Sequence, residues 1–467
     1  MKTTILKNEF WYGGAVYEGY RQPVGADDIV DWDFRENPTH NQIMPLFLSS
    51  KGRYIWSDAG FHISFRNGEI LAEGPEPIIL KDGFNDLRGA YLAAMKAHFP
   101  FHEIKLSDRF FKVPVYNSWI ELTYYQTQKN ILKYAKGILE NGFPSGVLMI
   151  DDGWSPYYGR WQFRGDNFKD AKAMLKELHE MGFSVMLWIC PFITPDTLEF
   201  REARDKHFLI ETPEGKPRIL EWWNGYSAAL DLTNPDAMKW LKDQLDVLTD
   251  MGVDGFRLDA VKEYVTGSTE DNVEILSWFA DYVHGKDPEN YLVCECWTDQ
   301  NTYAKYYESG VDSMFDFAFA DKSGIIANVM NGKASATSYA KNLETEQGMY
   351  AQYNPDYINA PFYTNHDMGR SAGYYAGENS EAQTKMGNAL NLLMNGNVFL
   401  YYGEELGMKG SGKDENKRAP MYWSKDKNAA GMCKGPADME DFQMKFDSLE
   451  EQQEDPDSIY NYVKQVI

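Results

Sequence analysis

Acidic side chains recur where short apolar runs end. Asp151 and Asp152 close GVLMIDD, Asp259 follows GFRL, and Glu295 sits inside YLVCECW. Asp367 closes NAPFYTNHD, and Glu404 and Glu405 end NVFLYYGEE. Carboxylates brought together repel one another, so such a set implies acid–base work or a held cation. Breaking a glycosidic bond needs two of them. One attacks or stabilises the sugar cation and the other protonates the leaving oxygen, with a separation of roughly 5 Å where anomeric configuration is retained. Asp259 and Glu295 fall on successive runs and suit that pairing. Arg257, two residues before Asp259, faces the same side of an extended strand. It would keep the aspartate ionised; the plainer alternative is a buried ion pair. His366 and Asp367 offer an imidazole and a carboxylate to sugar hydroxyls, or simply cap a strand. Trp119, Trp154, Trp188 and Trp297 stand at run ends, where indole faces stack on sugars, although some of them belong to the core. Cys294 and Cys296 flank Glu295, so alternation turns both thiols away from it as small buried hydrophobes.

These groups need a scaffold that gathers strand ends. Eight apolar runs occur at 113–119, 146–152, 184–192, 255–261, 291–297, 313–320, 359–367 and 397–405, separated by candidate helices such as Thr127–Glu140, Asn167–Met181 and Ala237–Met251. Near-continuous apolar strands alternating with amphipathic helices predict a parallel sheet closed into a barrel, with chemistry at the C-terminal strand ends. No GxGxxG turn follows the first run, which disfavours an open doubly wound sheet. Residues 1–110 instead show alternating segments, among them Arg53–Trp56 and Phe61–Phe65, the latter followed by Asn67-Gly68, the language of hairpins. The expected fold is α/β: a (β/α)8 TIM barrel over 111–467, preceded by a smaller β-sandwich-like domain over 1–110. Asp438–Asp457 is acid-rich and reads as a solvated loop.

The net charge of −24 repels phosphate backbones and anionic lipid, so nucleic acid and membranes are poor partners. The four cysteines form no CxxC pair, and a disulfide framework is not expected. The eight histidines show no HxH or HExxH spacing, against metal-dependent hydrolase or lyase chemistry. The opening MKTTILKNEFWYGG lacks an apolar signal region, and no run of 18 apolar residues spans a membrane. A cytoplasmic or recombinant chain is expected, with an exported parent left open.

Two family resemblances meet in this sequence. Residues from about 8 to 255 resemble glycoside hydrolase family 31, the α-glucosidase and α-xylosidase family, through FWYGGAVYEGYRQP, NQIMPLFLSSKGRYIWSD, GVLMIDDGW, MGFSVMLWICPF and ALDLTNPDAMKWL. From about Gly252 onward the chain resembles family 13, the α-amylase family, through GVDGFRLDAVKEY, VCECWTD, FYTNHDMGR and FLYYGEELGMKGSGKDENKRAPMYW. Both families are retaining α-glycosidases on (β/α)8 barrels whose nucleophile is an aspartate after the fourth strand. The family 13 resemblance implies Asp259 as nucleophile, Glu295 as general acid/base and Asp367 as a third, substrate-distorting carboxylate. It implies Arg257, His366 and Arg370 as supports of the cleavage subsite and Lys262 on the leaving-group side. The family 31 resemblance implies Asp151 as a ligand for outer sugar hydroxyls and Trp188 as a pocket wall. No cofactor is expected, and family 13 leaves room for a structural calcium ion with no residues assigned.

Departures from both patterns accompany these likenesses. The third run, VMLWICPF, lacks the family 13 histidine, and the sixth, SMFDFAFADKSG, lacks the family 31 acid. The expectation is therefore a fused or engineered chain with a family 31-like first half and a family 13-like second half. It would act on α-linked glucosides by double displacement; the alternative is a hybrid scaffold that folds with little or no turnover.

Overall fold

The structure is a computed structural model that describes residues 1–37, 41–100, 110, 113–222 and 225–467. The chain divides into two compact units, Met1–Glu103 and Ile104–Ile467. The expected junction at 110–111 adjoins residues outside the described set.

The first unit holds two four-stranded antiparallel sheets. Strands His62–Arg66 and Glu69–Glu73 pair directly through Asn67-Gly68, whose φ values of 54° and 74° are those of a two-residue hairpin turn. The inward residues of both sheets bury Trp11, Trp32, Phe47, Phe61 and Phe65 in one cluster.

The second unit is the barrel. Its eight strands are Pro114–Asn117, Val147–Ile150, Ser184–Ile189, Gly255–Leu258, Tyr291–Cys294, Ser313–Asp316, Ala360–Pro361 and Val398–Phe399. In chain order their arrangement in the sheet is 7-6-5-4-3-2-1-8, and every neighbouring pair is parallel. The two end strands are joined where Asn397 N–H donates to the Asn359 carbonyl at 3.0 Å, which closes the circle. Helices follow the strands: Gln128–Glu140, Ala171–Glu180, Pro235–Met251, Thr269–Lys286, Gln300–Lys305, Ala336–Tyr353, Ser380–Leu392 and Ile459–Val466. Local chemistry sets their starts. Asn234 accepts from Asp236 N–H at 2.9 Å with Pro235 at the first helical position, the arrangement that supplies an orphan donor with a partner.

Strand alternation sorts the side chains. Leu148, Ile150, Leu187, Phe256, Leu258, Leu292 and Cys294 lie in the cluster shared with the helices. Val115, Met149, Met186, Tyr291 and Val293 fill the interior. Continuing two residues from Val115, Met149, Met186 and Val293, and from Gly255 at the start of the fourth strand, reaches Asn117, Asp151, Trp188, Glu295 and Arg257. At the opposite end two carboxylates fasten strand starts. Asp254 Oδ2 accepts from Val185 N–H at 2.7 Å beside His179, and Asp312 Oδ2 accepts from Leu292 N–H at 2.9 Å beside His284. The sequence reading missed a small antiparallel sheet of Phe192–Ile193, Gly225–Ala229 and Ile219–Trp222 in the third-strand connection. Within the acid-rich stretch, Leu449–Glu454 is helical rather than loop, begun by a reciprocal Ser448–Glu451 cap. No helix among the described residues is long and apolar enough to cross a membrane.

Gly255 opens the fourth strand, where a Cβ would stand 2.0 Å from the Tyr291 carbonyl oxygen of the fifth. Gly255→Ala is therefore expected to lower stability by about 1–3 kcal/mol. Gly285→Ala, with nothing within 4 Å of its Cβ position, should be neutral or gain about 0.5 kcal/mol. Urea midpoints of the two variants check both expectations.

Candidate active site

Asp259 leaves the fourth strand through a tight turn. Ala260 sits in the left-handed region at φ 46° and ψ 47°, a conformation that costs a non-glycine residue about 1–2 kcal/mol. Backbone hydrogen bonds hold it there. Asp259 N–H donates to Ile189 O at 2.9 Å and Val261 N–H to Glu295 O at 2.9 Å, while Glu295 N–H donates to Leu258 O at 2.8 Å. The turn carrying one carboxylate is thus tied to the main chain of the residue carrying the other.

The Arg257 guanidinium faces both. Its Nη1 pairs with Asp259 Oδ1, and its Nη2 donates to Glu295 Oε2 at 2.6 Å. The two carboxyl groups lie near enough for each to bear on the other's ionisation. Burial alone would raise the Asp259 carboxyl, but the guanidinium and hydrogen bonds from Glu295 and Trp188 hold it below the usual carboxylate range. Burial and the neighbouring Asp259 charge push Glu295 the other way, well above that range. The pair thus divides into a charged carboxylate and a protonated acid.

The remaining residues ring this pair. Asp151 accepts from Asn117 Nδ2 at 2.6 Å and from Asp152 N–H at 2.8 Å, and its charge is felt by both Arg257 and His366. Asp152 is buried, which raises it to about 6 although the Tyr158 hydroxyl donates to it at 2.7 Å. Trp188 is 5% exposed and packs on Tyr158 with ring centres 5.5 Å apart. Burial holds the His366 imidazole below its usual value against the pull of Asp367 and Asp151. Asp367 lies 3.3 Å from His366 Nε2 and accepts from Arg418 Nη2 at 3.1 Å. Lys417 Nζ binds the Asp367 carbonyl at 2.9 Å. Lys262 occupies the turn just after Ala260, half-exposed. Among the described residues no cluster of three or more His, Cys, Asp or Glu is placed to hold a metal ion.

This inward ring of carboxylates on parallel strand ends coincides with a sequence likeness. The glycosyl hydrolases family 31 TIM-barrel domain matches residues 115–452. The chain belongs to that family. The family 31 barrel is also similar to proteins named for α-amylase. Alpha-amylase 3 of Dictyoglomus thermophilum is 27% identical over 318 residues, covering 64% of this chain and 62% of that one. Alpha-xylosidase XylQ of Lactiplantibacillus pentosus is 27% identical over 226 residues, covering 46% of this chain and 29% of the other. The chain thus spans less than two thirds of the length of these curated relatives. The solved structure of Eubacterium rectale Amy13B is 32% identical with a TM-score of 0.65, covering 77% of this chain and 79% of that one. The mixed resemblance to families 31 and 13 is therefore present in sequence and fold alike.

One sequence-assigned residue of this family 31 chain is not brought to the ring. Arg370 is 1% exposed and stacks between Tyr401 and Tyr402, with its Nε donating to Lys417 O at 3.0 Å and its Nη1 to Tyr402 O at 2.5 Å. The cation that meets Asp367 is Arg418, which lies in GKDENKRAPMYW with no signal in the sequence to single it out. The two arginines should separate in a denaturation experiment. Arg370→Ala leaves the buried Glu404 carboxyl without its cation and should cost about 3 kcal/mol. Arg418, partly exposed at the rim, should cost less than about 1 kcal/mol when replaced by alanine.

Proposed function

We propose that this barrel hydrolyses α-glucosides with retention of anomeric configuration, through a glycosyl ester on Asp259. The observation that carries the reading is the Arg257 fork, which leaves one carboxyl charged and its neighbour protonated inside a single hydrogen-bonded group. In the first step the Asp259 carboxylate attacks the anomeric carbon. The bond to the leaving oxygen breaks and that oxygen takes the Glu295 proton. In the second step water attacks the same carbon, gives a proton to the Glu295 carboxylate and frees Asp259. Arg257 stays in contact with both groups as charge passes between them. Asp151, Trp188, His366 and Asp367 stand where the hydroxyls of the glucosyl unit need partners. The names of the amylase and xylosidase relatives support an α-linked sugar as the substrate.

A second reading has one observation in its favour. The Arg257 fork already engages both of the carboxyls that a sugar must reach. A barrel joined from two parental halves, with such a pair locked shut, would fold without turning over. An Asp259→Asn variant with the same aryl α-glucoside background rate as the parent would favour this second reading.

Treatment with a fluorinated α-glucosyl inactivator should add one glycosyl mass, and peptide mapping should place it on Asp259. An unlabelled chain, or a label elsewhere, overturns the mechanism. The pH profile of kcat/KM supplies a second check. Asp259 must be charged, so the acid limb should fall below the ordinary aspartate value of about 4. Glu295 must carry its proton, so activity should persist above the ordinary carboxyl range and be lost as pH rises through its elevated pKa. Arg257→Met removes the charge that depresses Asp259 and should move the acid limb to higher pH.

A further inference from the structure

A buried amide outside the reacting pair grips the end of the second strand from behind. Gln126 follows the turn Thr123–Tyr125 in the connection after the first strand and is 0% exposed. Its Nε2 donates to the Asp151 carbonyl at 2.9 Å and to the Asp152 carbonyl at 2.6 Å. Its Oε1 accepts from Ser118 Oγ at 2.7 Å, and Ser118 Oγ accepts in turn from Asp151 N–H at 3.0 Å. One amide thus encircles Asp151, reaching its carbonyl directly and its N–H through a single hydroxyl.

This grip has a geometric consequence. Successive carbonyls of an extended strand point to opposite sides. Here two in a row converge on one NH2 group, so the chain has left the strand at Asp151. Strict alternation would send the Asp152 carboxyl to the helices, away from Asp151. Instead it takes the hydroxyl of Tyr158, the ring that packs on Trp188. The Asp151 carboxylate itself is held by Asn117 Nδ2 at 2.6 Å. Asn117 and Ser118 are consecutive, so the first strand end and Gln126 together set both the main chain and the side chain of Asp151. The grip is specific to glutamine. Glutamate would face two carbonyls with no proton to give, and asparagine is one methylene short.

Resting on the hydrolase reading, we propose that Gln126 is a positioning residue that aims the Asp151 carboxylate at the outer hydroxyls of the bound glucosyl unit. Being fully buried, it touches no substrate atom and acts through the pose of Asp151. A carboxylate fixed by its surroundings rejects a sugar that lacks the hydroxyl it pairs with, whereas a loose one swings away and discriminates less. Gln126 therefore sets sugar selectivity from behind the site.

The test compares kcat/KM for α-glucosyl fluoride with kcat/KM for its 4-deoxy and 6-deoxy analogues, each lacking one outer hydroxyl. Asp151→Asn marks the hydroxyl that Asp151 holds, as the analogue against which the preference for the full sugar collapses. If neither preference moves in Asp151→Asn, that carboxylate holds no outer hydroxyl and the proposal falls. In Gln126→Met, which keeps the volume and loses both donors, the preference marked by Asp151→Asn should fall about tenfold. The double variant should fall no further than Asp151→Asn alone, because both changes act on one contact. Each preference is a ratio and cancels any loss of folded protein. An equal loss on all the fluorides in Gln126→Met therefore overturns the proposal in favour of a merely structural amide. If the unsubstituted protein cleaves none of them, the hydrolase reading fails on its own account. Calorimetric titration with glucose and its 4-deoxy and 6-deoxy forms then decides the positioning role. A preference for glucose that is weakened in Gln126→Met supports it, and an unchanged preference, or no binding of glucose by the unsubstituted protein, overturns it.

Discussion

A guanidinium buried between two carboxyl groups sets the terms for everything around it. Arg257 is on the inward series of the fourth strand, and its two terminal nitrogens face Asp259 and Glu295. A buried charge of this kind is tolerated only when its partners are fixed. The barrel fixes them through main-chain hydrogen bonds between the Asp259 turn and Glu295, and through the unusual backbone of Ala260. The interior below is filled by Met149, Met186, Tyr291 and Val293, which keeps water out and strengthens the pairing. Packing, backbone strain and electrostatics therefore converge on one residue, and the asymmetry between the two carboxyls follows from it.

Much of this was legible in the sequence because alternation along a strand is a geometric rule. Once GFRLDAV and YLVCECW are read as neighbouring barrel strands, Arg257, Asp259 and Glu295 must face inward, and Cys294 must face the helices, as it does. The fold class was readable for the same reason, from eight apolar runs spaced by helices. Strand length was less readable. The seventh run extends over 359–367, yet only Ala360–Pro361 pairs as strand, since Pro361 brings no N–H to the ladder. The small sheet in the third-strand connection gave little signal because Ile219–Trp222 alternates only between exposed and half-buried positions and the buried end of Gly225–Ala229 is made of small residues, Ser227, Ala228 and Ala229.

The exchange of Arg370 for Arg418 shows a different limit. Arg370 is expected at the cleavage subsite only through the family 13 resemblance of FYTNHDMGR. The chain turns through Ser371–Tyr374 immediately afterwards, and the guanidinium drops between Tyr401 and Tyr402, where its Nε and Nη1 bond carbonyls and its Nη2 is left without a hydrogen-bond partner. The contact that Asp367 makes comes from a residue 51 positions later. No local pattern encodes such a partner. It emerges only when the segment after the eighth strand folds back across the barrel mouth.

That fold-back bears on how the molecule comes into being. Ribosomes deliver a chain from its N-terminus, so the strands bearing Asp151, Arg257, Asp259 and Glu295 emerge well before residues 417 and 418. Until Lys417 and Arg418 appear, Asp367 lacks the cations that hold its carbonyl and its carboxylate. The nascent barrel would therefore own the Arg257 fork with Asp259 and Glu295 early and the tethered Asp367 late. A nick after the eighth strand would likewise free the tether of Asp367 while leaving the Arg257 fork intact.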